Sequence, residues 1–501
     1  MNTIQIKNLK SITDTGPLSI KPITVFVGAN SSGKSSLIRT FPLFKQSSES
    51  KILGTVLWSG KYVDYGSYVE SLNLNASKNE SAEISFSFTF TVNAPPTQRL
   101  PGLADGTIVK VTINVHGDEY SKSSYSEIVY EIHGNTISMR VASDLKIVAV
   151  TINKTDLTKQ VSEVYRAYKI YSIVPLLFPI SRSIALGESP VSVLAKEIKR
   201  HVHHRTADRK IDAIARSLRF GDDEQIKKTL TSKGVVGDFA AAKIAEWPNS
   251  HPDFKKIKDQ IILSNLERIV DQISDNLRAY FLSSRYITPL RAAADRYYRI
   301  QNTSIEELDP NGSNLAMFLH AKKASEIEEI NEWLESEIGF TIEITSSHGH
   351  ASILIIDENN TKSNIADTGF GFSQVLPILI QVWQLAKQKT RRHNAANIAT
   401  TVIIEQPELH LHPRMQSRVG DAFCKAIKLA KENDINLNII IETHSKEIIQ
   451  SIGKCIEKNI LTKEDAAIYI VEKNAAVNIM ESQFDDGGYL VHWPYGFFDG
   501  E

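Results

Sequence analysis

The amino-acid sequence predicts an α/β fold made of a phosphate-binding loop between a buried strand and a helix, an antiparallel β lobe and an inserted helical subdomain. The loop is Gly28-Ala29-Asn30-Ser31-Ser32-Gly33-Lys34-Ser35, which satisfies every fixed position of that motif. Apolar and polar residues alternate from residue 81 to residue 150, and the period becomes helical near residue 190. These three observations together predict the fold class.

The residues on either side of the loop support its assignment. Ile23, Val25 and Val27 form the apolar pattern of a buried strand, and a helix is predicted from Ser36. In this setting backbone N–H groups surround phosphate oxygens, the lysine reaches the β and γ phosphates, and the hydroxyl after it binds Mg²⁺. We therefore expect a nucleoside triphosphate with Mg²⁺ held on Ser35, and the expected nucleotide-binding residues are Asn30, Ser31, Ser32, Gly33, Lys34, Ser35 and Ser36.

Length and composition limit what surrounds this loop. A chain of 501 residues is long enough for two or more folded units. Its 57 basic and 58 acidic residues nearly cancel, so any nucleic-acid contact would need a local basic patch. The chain has two cysteines, which favours a reducing compartment. Its N-terminus lacks a signal-peptide pattern, and its longest apolar region, 173–180, is too short to span a bilayer. We expect a cytoplasmic protein without membrane contact.

The first part of the chain is predicted to form a β lobe beside the nucleotide. A strand is expected around Ile4 and Ile6. Alternation at 84–90, 109–115 and 128–132, with a loop at Pro95-Pro96, predicts an antiparallel sheet with one solvated face.

The region from Pro190 to about Tyr286 is predicted to be a helical insertion. Residues 196–219 include eight Lys or Arg against Glu197, Asp208 and Asp212. This basic segment has two open interpretations: a contact for nucleic acid or an acidic partner, or a solvated helical face.

Two further patterns lie within the insertion. His201, His203 and His204 could in principle hold a metal, although no cysteine lies near them. A single helix from Lys255 to Phe281 is expected, because its apolar residues form one broad stripe for core packing.

The chain is expected to re-enter the main domain at Tyr286. Arg291 and Arg296 precede a pair of tyrosines, and either they approach phosphate or they anchor a packed loop. A helix over Ser325–Ile338 and a hairpin with strands at 341–345 and 352–357 are predicted next.

A second anion-binding site is predicted after this hairpin. Gly371 lies in a glycine-containing turn, and Ser373 stands at the start of an apolar helix over Val375–Leu385. Such a turn at a helix start is suited to a γ phosphate.

Two later strands are predicted to end in functional side chains. The apolar run from Thr401 leads into Glu405-Gln406-Pro407-Glu408, and the expected last strand, 437–441, leads into Glu442-Thr443-His444-Ser445. Ligands of open α/β sheets bind at the carboxyl ends of the strands. We therefore expect an acid at the end of the first of these strands to supply a Mg²⁺ ligand, direct or through water, and His444 to present its imidazole at this edge.

With these motifs in place, the sequence resembles ABC-type ATPases of the SMC, RecF and overcoming-lysogenisation-defect kind. The resemblance covers residues 1–75 and 286–501, and it is most specific at the phosphate-binding loop, at 405–413 and at 443–445. It implies an ABC-type head that binds ATP and Mg²⁺. Its parts would be residues 1–185 with the loop and β lobe, 186–285 as the insertion, and 286–501 with the remaining motifs.

The resemblance also implies how the site would be completed. Two heads would sandwich ATP, with Gly371 and Ser373 of one copy facing the phosphate-binding loop of the other. His444 would be a switch histidine that reads the γ phosphate. The glutamine that related ATPases carry after the first helix has no counterpart between Gln46 and Gln98, so that role stays unassigned.

The closing segment, 486–489 and 493–499, resembles the tail of ATPases from bacterial two-gene anti-phage systems, such as Septu-like ATPase and nuclease pairs. This implies a sensor and scaffold whose ATP state gates a separately encoded nuclease or toxin-like effector, in a dimer that can assemble further.

Two alternatives stay open: a DNA repair or recombination ATPase, and a nucleotide-gated structural module that sequesters a partner protein. DNA-stimulated hydrolysis would favour the first, and function without hydrolysis the second.

Gln406 departs from the pattern of this family. Aligning on Pro407 puts Glu405 at the Mg²⁺-supporting acid and Gln406 where many ABC ATPases have the catalytic glutamate. A glutamine can orient water but cannot take its proton, and a positioned base is worth about 10²- to 10⁴-fold in rate. Either Glu408 supplies the carboxylate or hydrolysis is slow. We expect slow turnover, on the order of one per minute or less.

Overall fold

The structure is a computed structural model that describes residues 1–52, 54–78, 82–93, 100–117, 123–180, 188–232, 235–300, 305, 307–387, 398–473 and 477–493. The Pro95-Pro96 loop and residues 494–499 of the closing segment lie outside these ranges. The chain divides into two compact units, and each is described by itself. Unit one includes Met1–Leu18 and Leu43–Leu282, and unit two includes Ser19–Pro42, Ser283–His393 and Ala399–Glu501.

The strands follow the alternating and apolar runs of the sequence. In chain order they are β1 (Thr3–Leu9), β2 (Ile12–Asp14), β3 (Leu18–Ser19), β4 (Ile23–Gly28), β5 (Ile84–Thr91), β6 (Ile108–Gly117), β7 (Ser123–Ile132), β8 (Asn135–Ala142), β9 (Ile147–Ile152), β10 (Thr155–Asp156), β11 (Tyr165–Tyr168), β12 (Leu176–Pro179), β13 (Arg285–Ile287), β14 (Tyr298–Arg299), β15 (Thr341–Ser347), β16 (His350–Ile356), β17 (Lys362–Asn364), β18 (Thr400–Glu405), β19 (Leu437–Glu442), β20 (Ala466–Lys473), β21 (Val477–Phe484) and β22 (Leu490–Val491).

The helices occupy the segments with apolar residues at helical spacing. They are α1 (Lys34–Ile38), α2 (Thr40–Glu49), α3 (Tyr68–Ser71), α4 (Thr158–Val164), α5 (Pro190–Lys199), α6 (Asp208–Ser217), α7 (Asp223–Thr231), α8 (Asp238–Ala245), α9 (Pro252–Ser264), α10 (Leu266–Ser283), α11 (Leu315–His320), α12 (Ala324–Ile338), α13 (Phe370–Lys387), α14 (Pro413–Glu432) and α15 (Lys446–Glu457). No described helix is long and apolar enough to cross a membrane.

Unit one is built on the predicted antiparallel sheet. Its strands run in the order β10-β9-β8-β7-β6-β5-β1-β2, with antiparallel pairing throughout. The alternating side chains Phe86 and Phe88 are fully buried, and the ring of Phe44 packs edge-on against both, with centroids 5.0 and 5.1 Å apart. One face of the sheet therefore holds the core, as the period of two predicts.

The helical segment of unit one has an apolar core of its own. Leu194 of α5, Ile214 of α6, Leu230 of α7 and Ile257 of α9 belong to one buried cluster. These helices lie within the region predicted as an insertion, and the domain boundaries at residues 185 and 285 stay a prediction.

Some basic side chains of the basic segment, residues 196–219, form ion pairs with acidic residues of the same segment. Lys199 Nζ lies 2.6 Å from Asp208, and Arg200 lies 2.6 Å from Glu197. His201 packs edge-on against Trp247. Within the described ranges no group of three His, Cys, Asp or Glu residues could hold a metal ion.

The prediction of a single helix from Lys255 to Phe281 is wrong. Two helices, α9 and α10, occupy this segment, and Asn265 separates them. Asn265 leaves helical geometry with φ −111° and ψ 2°, and its side-chain amide donates to the Ile261 carbonyl oxygen over 2.8 Å. Asparagine competes for backbone partners in this way, which ends helices. The apolar stripe continues across the break, so periodicity alone does not show it.

Unit two is built on a sheet whose strand order is β13-β18-β19-β4-β20-β21-β22. The first five strands are parallel, and β21 and β22 add antiparallel pairs at one edge. The α/β fold class with a separate antiparallel sheet is confirmed. The expectation that β19 is the last strand is wrong, because β20 follows it and pairs directly with β4.

Candidate nucleotide-binding site

The phosphate-binding loop leaves the carboxyl end of β4, the strand that lies between β19 and β20 in unit two. A Cβ atom on Gly28 would lie 2.1 Å from the Val471 carbonyl oxygen of β20, so only glycine fits there. Gly33 has φ 108° and precedes α1. Ala29, Asn30 and Ser31 at the tip of the loop are exposed, so this part of the motif is open to a ligand.

Lys34 is held by the loop itself. Its ammonium donates to the carbonyl oxygens of Gly28 and Ala29 over 3.0 and 2.8 Å, and its side chain is 2 % exposed. Burial lowers the pKa of Lys34, and the nearby carboxylates Glu442 and Glu408 partly oppose that shift. The lysine is therefore kept inside the loop by neutral carbonyl groups rather than by a close ion pair.

Ser35 donates its hydroxyl to Glu442 Oε1 over 2.9 Å. Glu442 is the last residue of β19, and its Oε1 also lies 4.0 Å from Lys34 Nζ. Burial, with repulsion from Glu405, raises the pKa of Glu442 to about 7. The other oxygen of this carboxylate, Oε2, is buried and has no hydrogen-bond partner among the described residues.

Glu405 ends the neighbouring strand β18 and has three donors. Arg39 reaches it with two parallel bonds, Nε to Oε1 and Nη2 to Oε2, both 2.7 Å, and the Tyr286 hydroxyl donates to Oε1 over 2.7 Å. Arg291, itself 7 % exposed, donates to the Glu405 carbonyl oxygen over 2.9 Å. Arg291 is thus a buried anchor of this strand end, whereas Arg296 pairs with Asp367 at the surface.

Gln406 and Glu408 occupy the turn after β18. Gln406 has φ 46°, in the left-handed region, and its backbone N–H donates to the Glu442 carbonyl oxygen over 2.8 Å. Both oxygens of Glu408 accept bonds from the segment after β19: Oε2 from the Thr443 hydroxyl at 2.8 Å and Oε1 from the His444 N–H at 2.7 Å. Burial raises the pKa of Glu408, so a proton is retained more readily there than on a free glutamate.

His444 presents an unused ring nitrogen at the site. Nε2 is buried and has no hydrogen-bond partner among the described residues. Burial, and to a lesser extent the charge of Lys34, lowers the pKa of His444, which favours the neutral imidazole. The next residue, Ser445, caps α15 by accepting from the Ile448 N–H at 3.1 Å, so the imidazole is fixed at the start of a helix.

Gly371 and Ser373 lie on a separate element, the first turn of α13. Ser373 is 6 % exposed, and a Cβ on Gly371 would lie 3.4 Å from the His410 carbonyl oxygen. The structure therefore links Lys34, Ser35, Glu405, Glu408 and His444 by hydrogen bonds and charge, and it places the predicted second anion site beside the turn that follows Glu408. Their roles in binding stay a prediction.

Sequence reasoning missed Glu442, Arg39 and Tyr286. Glu442 had an available signal, since it ends an apolar strand as Glu405 does, and the two residues are paired in the parallel register of β18 and β19. Arg39 and Tyr286 had none, because they meet Glu405 from distant parts of the chain.

The oxygen atoms at the site suit Mg²⁺. A hydroxyl and two carboxylates are hard ligands, and Mg²⁺ usually takes only one or two carboxylates together with phosphate and water. The unpartnered Glu442 Oε2 beside the Ser35 hydroxyl is the observation that fits such an ion.

A phosphate-binding loop at the carboxyl end of a parallel sheet, with acids on the two adjacent strand ends, defines a P-loop nucleotide-binding protein. The chain belongs to the AAA_15 family, described as AAA ATPase domain, whose model matches residues 1–449. Comparison with curated proteins finds no match.

Solved structures similar to this chain include SMC head domains. The SmcHead bound to the C-winged helix domain of ScpA has 12% identity, covers 97% of this chain and 98% of that one, and has a TM-score of 0.35. The Smc head domain with an extended coiled coil, bound to the C-terminal domain of ScpA from Pyrococcus furiosus, has 12% identity, 96% and 95% coverage and a TM-score of 0.34. The SMC head domain from Thermotoga maritima has 8% identity, 96% and 97% coverage and a TM-score of 0.30.

Proposed function

We propose that the chain binds and hydrolyses ATP with Mg²⁺, slowly, as a dimer that sandwiches the nucleotide. The observation that carries this proposal is the approach of Lys34 and Ser35 to Glu442 at the end of β19, which is paired with Glu405 at the end of β18. Asn30, Ser31, Ser32, Gly33 and Ser36 complete the loop that would surround the phosphates.

Each side chain has a role that follows from its contacts. Lys34 would exchange the loop carbonyls for phosphate oxygens, Ser35 would bind Mg²⁺, and Glu442 and Glu405 would supply negative charge near the ion. The ion, when bound, neutralises charge on the phosphates. His444, neutral and with a free Nε2, would sense the γ phosphate.

The attacking water would be oriented at the turn after β18. Gln406 can hold a water by hydrogen bonds, and Glu408 is the nearby carboxylate, each of whose oxygens already accepts one bond, from Thr443 and from His444. Slow hydrolysis and a long-lived ATP-bound state are the consequence that we propose. Gly371 and Ser373 of a second copy would close the site.

The biological role that we propose is a cytoplasmic sensor and scaffold of bacterial anti-phage defence. ATP state would gate a separately encoded effector nuclease or toxin-like protein, and the dimer could assemble further. Support for this role comes from the resemblance of the closing segment to ATPases of two-gene defence systems. Purification from the native host with neighbouring genes intact, followed by mass spectrometry, tests it: a stoichiometric nuclease is expected, and recovery of the ATPase alone would contradict it.

DNA binding is a second candidate, favoured by the basic segment. Arg205, Arg209 and Lys210 are exposed, although Lys199 and Arg200 are committed to ion pairs. DNA that stimulates hydrolysis without any partner protein would support a repair or recombination role.

The nucleotide assignment is tested with Lys34→Ala. Removing the ammonium should abolish binding of a fluorescent ATP analogue, because this ammonium lies within the loop against the carbonyl oxygens of Gly28 and Ala29. An exposed lysine changed in the same way, Lys159→Ala, serves as the control, since its side chain is 88% exposed. Retained ATP affinity in the Lys34 variant would contradict the assignment.

A further inference from the structure

We propose that Glu442 is the positioning residue for Mg²⁺ at this site, and that Glu405 mainly anchors the loop helix to the sheet. This inference rests on the proposed function, because it concerns the same nucleotide site. It assigns different tasks to two carboxylates that the sequence presents in the same way, each at the end of an apolar parallel strand.

Glu405 is occupied on both oxygens. Arg39 makes a bidentate pair with it, the geometry in which guanidinium and carboxylate match best, and Tyr286 adds a third bond. Arg39 is the C-cap residue directly after α1, the short helix that begins in the phosphate-binding loop. These contacts fasten that helix to the end of β18, and they direct the charge of Glu405 toward Arg39 rather than toward Ser35.

Glu442 has the opposite arrangement. One oxygen accepts the Ser35 hydroxyl at 2.9 Å, and the other is buried without a partner among the described residues. A hydroxyl that donates its proton to a carboxylate turns its lone pairs outward, toward the ligand that the loop holds. The unpartnered oxygen is available to a water of the metal's hydration shell, which is how Mg²⁺ commonly meets protein carboxylates.

The backbone keeps Glu442 in place between the two strand ends. Its carbonyl oxygen accepts the Gln406 N–H at 2.8 Å, and β19 pairs with β18 on one side and β4 on the other. Glu442 is therefore the acid on the strand directly beside the loop strand, whereas Glu405 lies one strand further away.

Binding of Mn²⁺ and ATP to three glutamate-to-glutamine variants tests the proposal. Mn²⁺ bound with ATP is followed by electron paramagnetic resonance, and a fluorescent ATP analogue is titrated with Mg²⁺ or with excess EDTA. We expect Glu442→Gln to lose about 10- to 100-fold of the metal-dependent gain in affinity, as is typical when an outer-shell partner is removed. Binding in EDTA should change less than about twofold. Glu405→Gln should lose less of the metal-dependent gain and more of the folding stability, and exposed Glu457→Gln should match wild type.

A double-mutant cycle with Ser35→Ala tests whether Glu442 acts through Ser35. If it does, the loss in the double variant is smaller than the two single losses multiplied together. Circular dichroism of each variant shows whether it folds, and the cycle keeps its meaning if Glu442→Gln is only destabilised.

Three outcomes are distinguishable. A wild-type Mn²⁺ signal and metal dependence in Glu442→Gln, or a larger metal-specific loss in Glu405→Gln, would overturn this inference while leaving the nucleotide site intact. Independent, multiplicative losses in the cycle would overturn the coupling to Ser35. Failure of the wild-type protein to bind ATP in either buffer would overturn the proposed function itself.

Discussion

Gln406 is the residue at which chemistry and family pattern disagree most clearly. We expect Gln406→Glu to raise the hydrolysis rate about 10²-fold, because a carboxylate at this position can take the proton of the attacking water. Single-turnover hydrolysis of ATP by the purified protein measures the effect. Glu408→Gln provides the comparison. If this variant abolishes hydrolysis while Gln406→Glu leaves the rate unchanged, Glu408 is the base, and the reason for expecting slow turnover is removed.

Lys169 is a buried cation of unit one that predicts a pH dependence of stability. It is 6 % exposed, its ammonium donates to the Gly54 carbonyl oxygen, and burial lowers the pKa of Lys169 from 10.5 to about 7. Between these values the unfolded chain binds a proton that the folded chain lacks, so the free energy of unfolding increases as pH rises.

The wild-type protein should therefore gain on the order of 2 kcal/mol of stability between about pH 7.5 and pH 9.5, and Lys169→Met should gain much less. Urea unfolding at the two pH values measures the difference. Lys159→Met, at an exposed site, should behave like wild type. An equal gain in the Lys169 variant would show that other groups cause the dependence.

At the scale of elements, the crossing of α14 and α15 fixes the two segments that carry Glu408 and His444. A Cβ on Gly420 of α14 would lie 1.9 Å from Ser451 Oγ of α15, so the helices approach as closely as glycine allows. We expect Gly420→Ala to lower the free energy of unfolding by about 1–3 kcal/mol through overpacking.

A compensating change checks the cause of this loss. Ser451→Gly in the Gly420→Ala background removes the side chain that clashes and should recover part of the stability, whereas Ser451→Gly alone should not stabilise the protein. Thermal or urea unfolding of the three variants gives the comparison. Gly420→Ala with wild-type stability would mean that the crossing can widen without cost.

Elements whose apolar runs end in a recognisable motif could be predicted from sequence. Strands β4, β18 and β19 fall where expected, because each run is followed by a loop with a known chemical use, and helix α13 falls where expected because a glycine-containing turn marks its start. β20 is equally apolar but no motif follows it, and the break at Asn265 lies inside an uninterrupted stripe.

Partners distant in sequence could not be predicted. Ser35 and Glu442 are 407 residues apart, and Arg39 and Glu405 are 366 apart, so their contacts depend on the order of strands in the sheet. A parallel sheet brings the carboxyl ends of its strands together, but sequence alone does not state which strand lies beside which.

At the scale of the whole molecule, the proposed ATP sandwich predicts nucleotide-dependent dimerisation. Light scattering should show a dimer with ATP and Mg²⁺ and a monomer without them. Gly371→Asp should prevent the dimer, because the new carboxylate would repel the γ phosphate of the partner copy, while ATP still binds to the monomer's own loop.

Space at Gly371 makes this variant a fair test. Its added Cβ would meet the His410 carbonyl oxygen at 3.4 Å and Leu411 at 3.5 Å, so the fold can accept it with small adjustments. Ser347→Asp, at an exposed position of β15, is the matched control. Undiminished dimerisation of Gly371→Asp would contradict the sandwich.

The position of β4 between β19 and β20 also has a consequence during synthesis on the ribosome. β4 ends at residue 28, whereas the strands that pair with it on either side begin at residues 437 and 466. The loop strand leaves the exit tunnel long before both neighbours and stays without them until more than 400 further residues have been translated. High contact order of this kind slows folding and prolongs exposure of apolar strand edges. The nucleotide site therefore forms only after β19 and β20 have been translated.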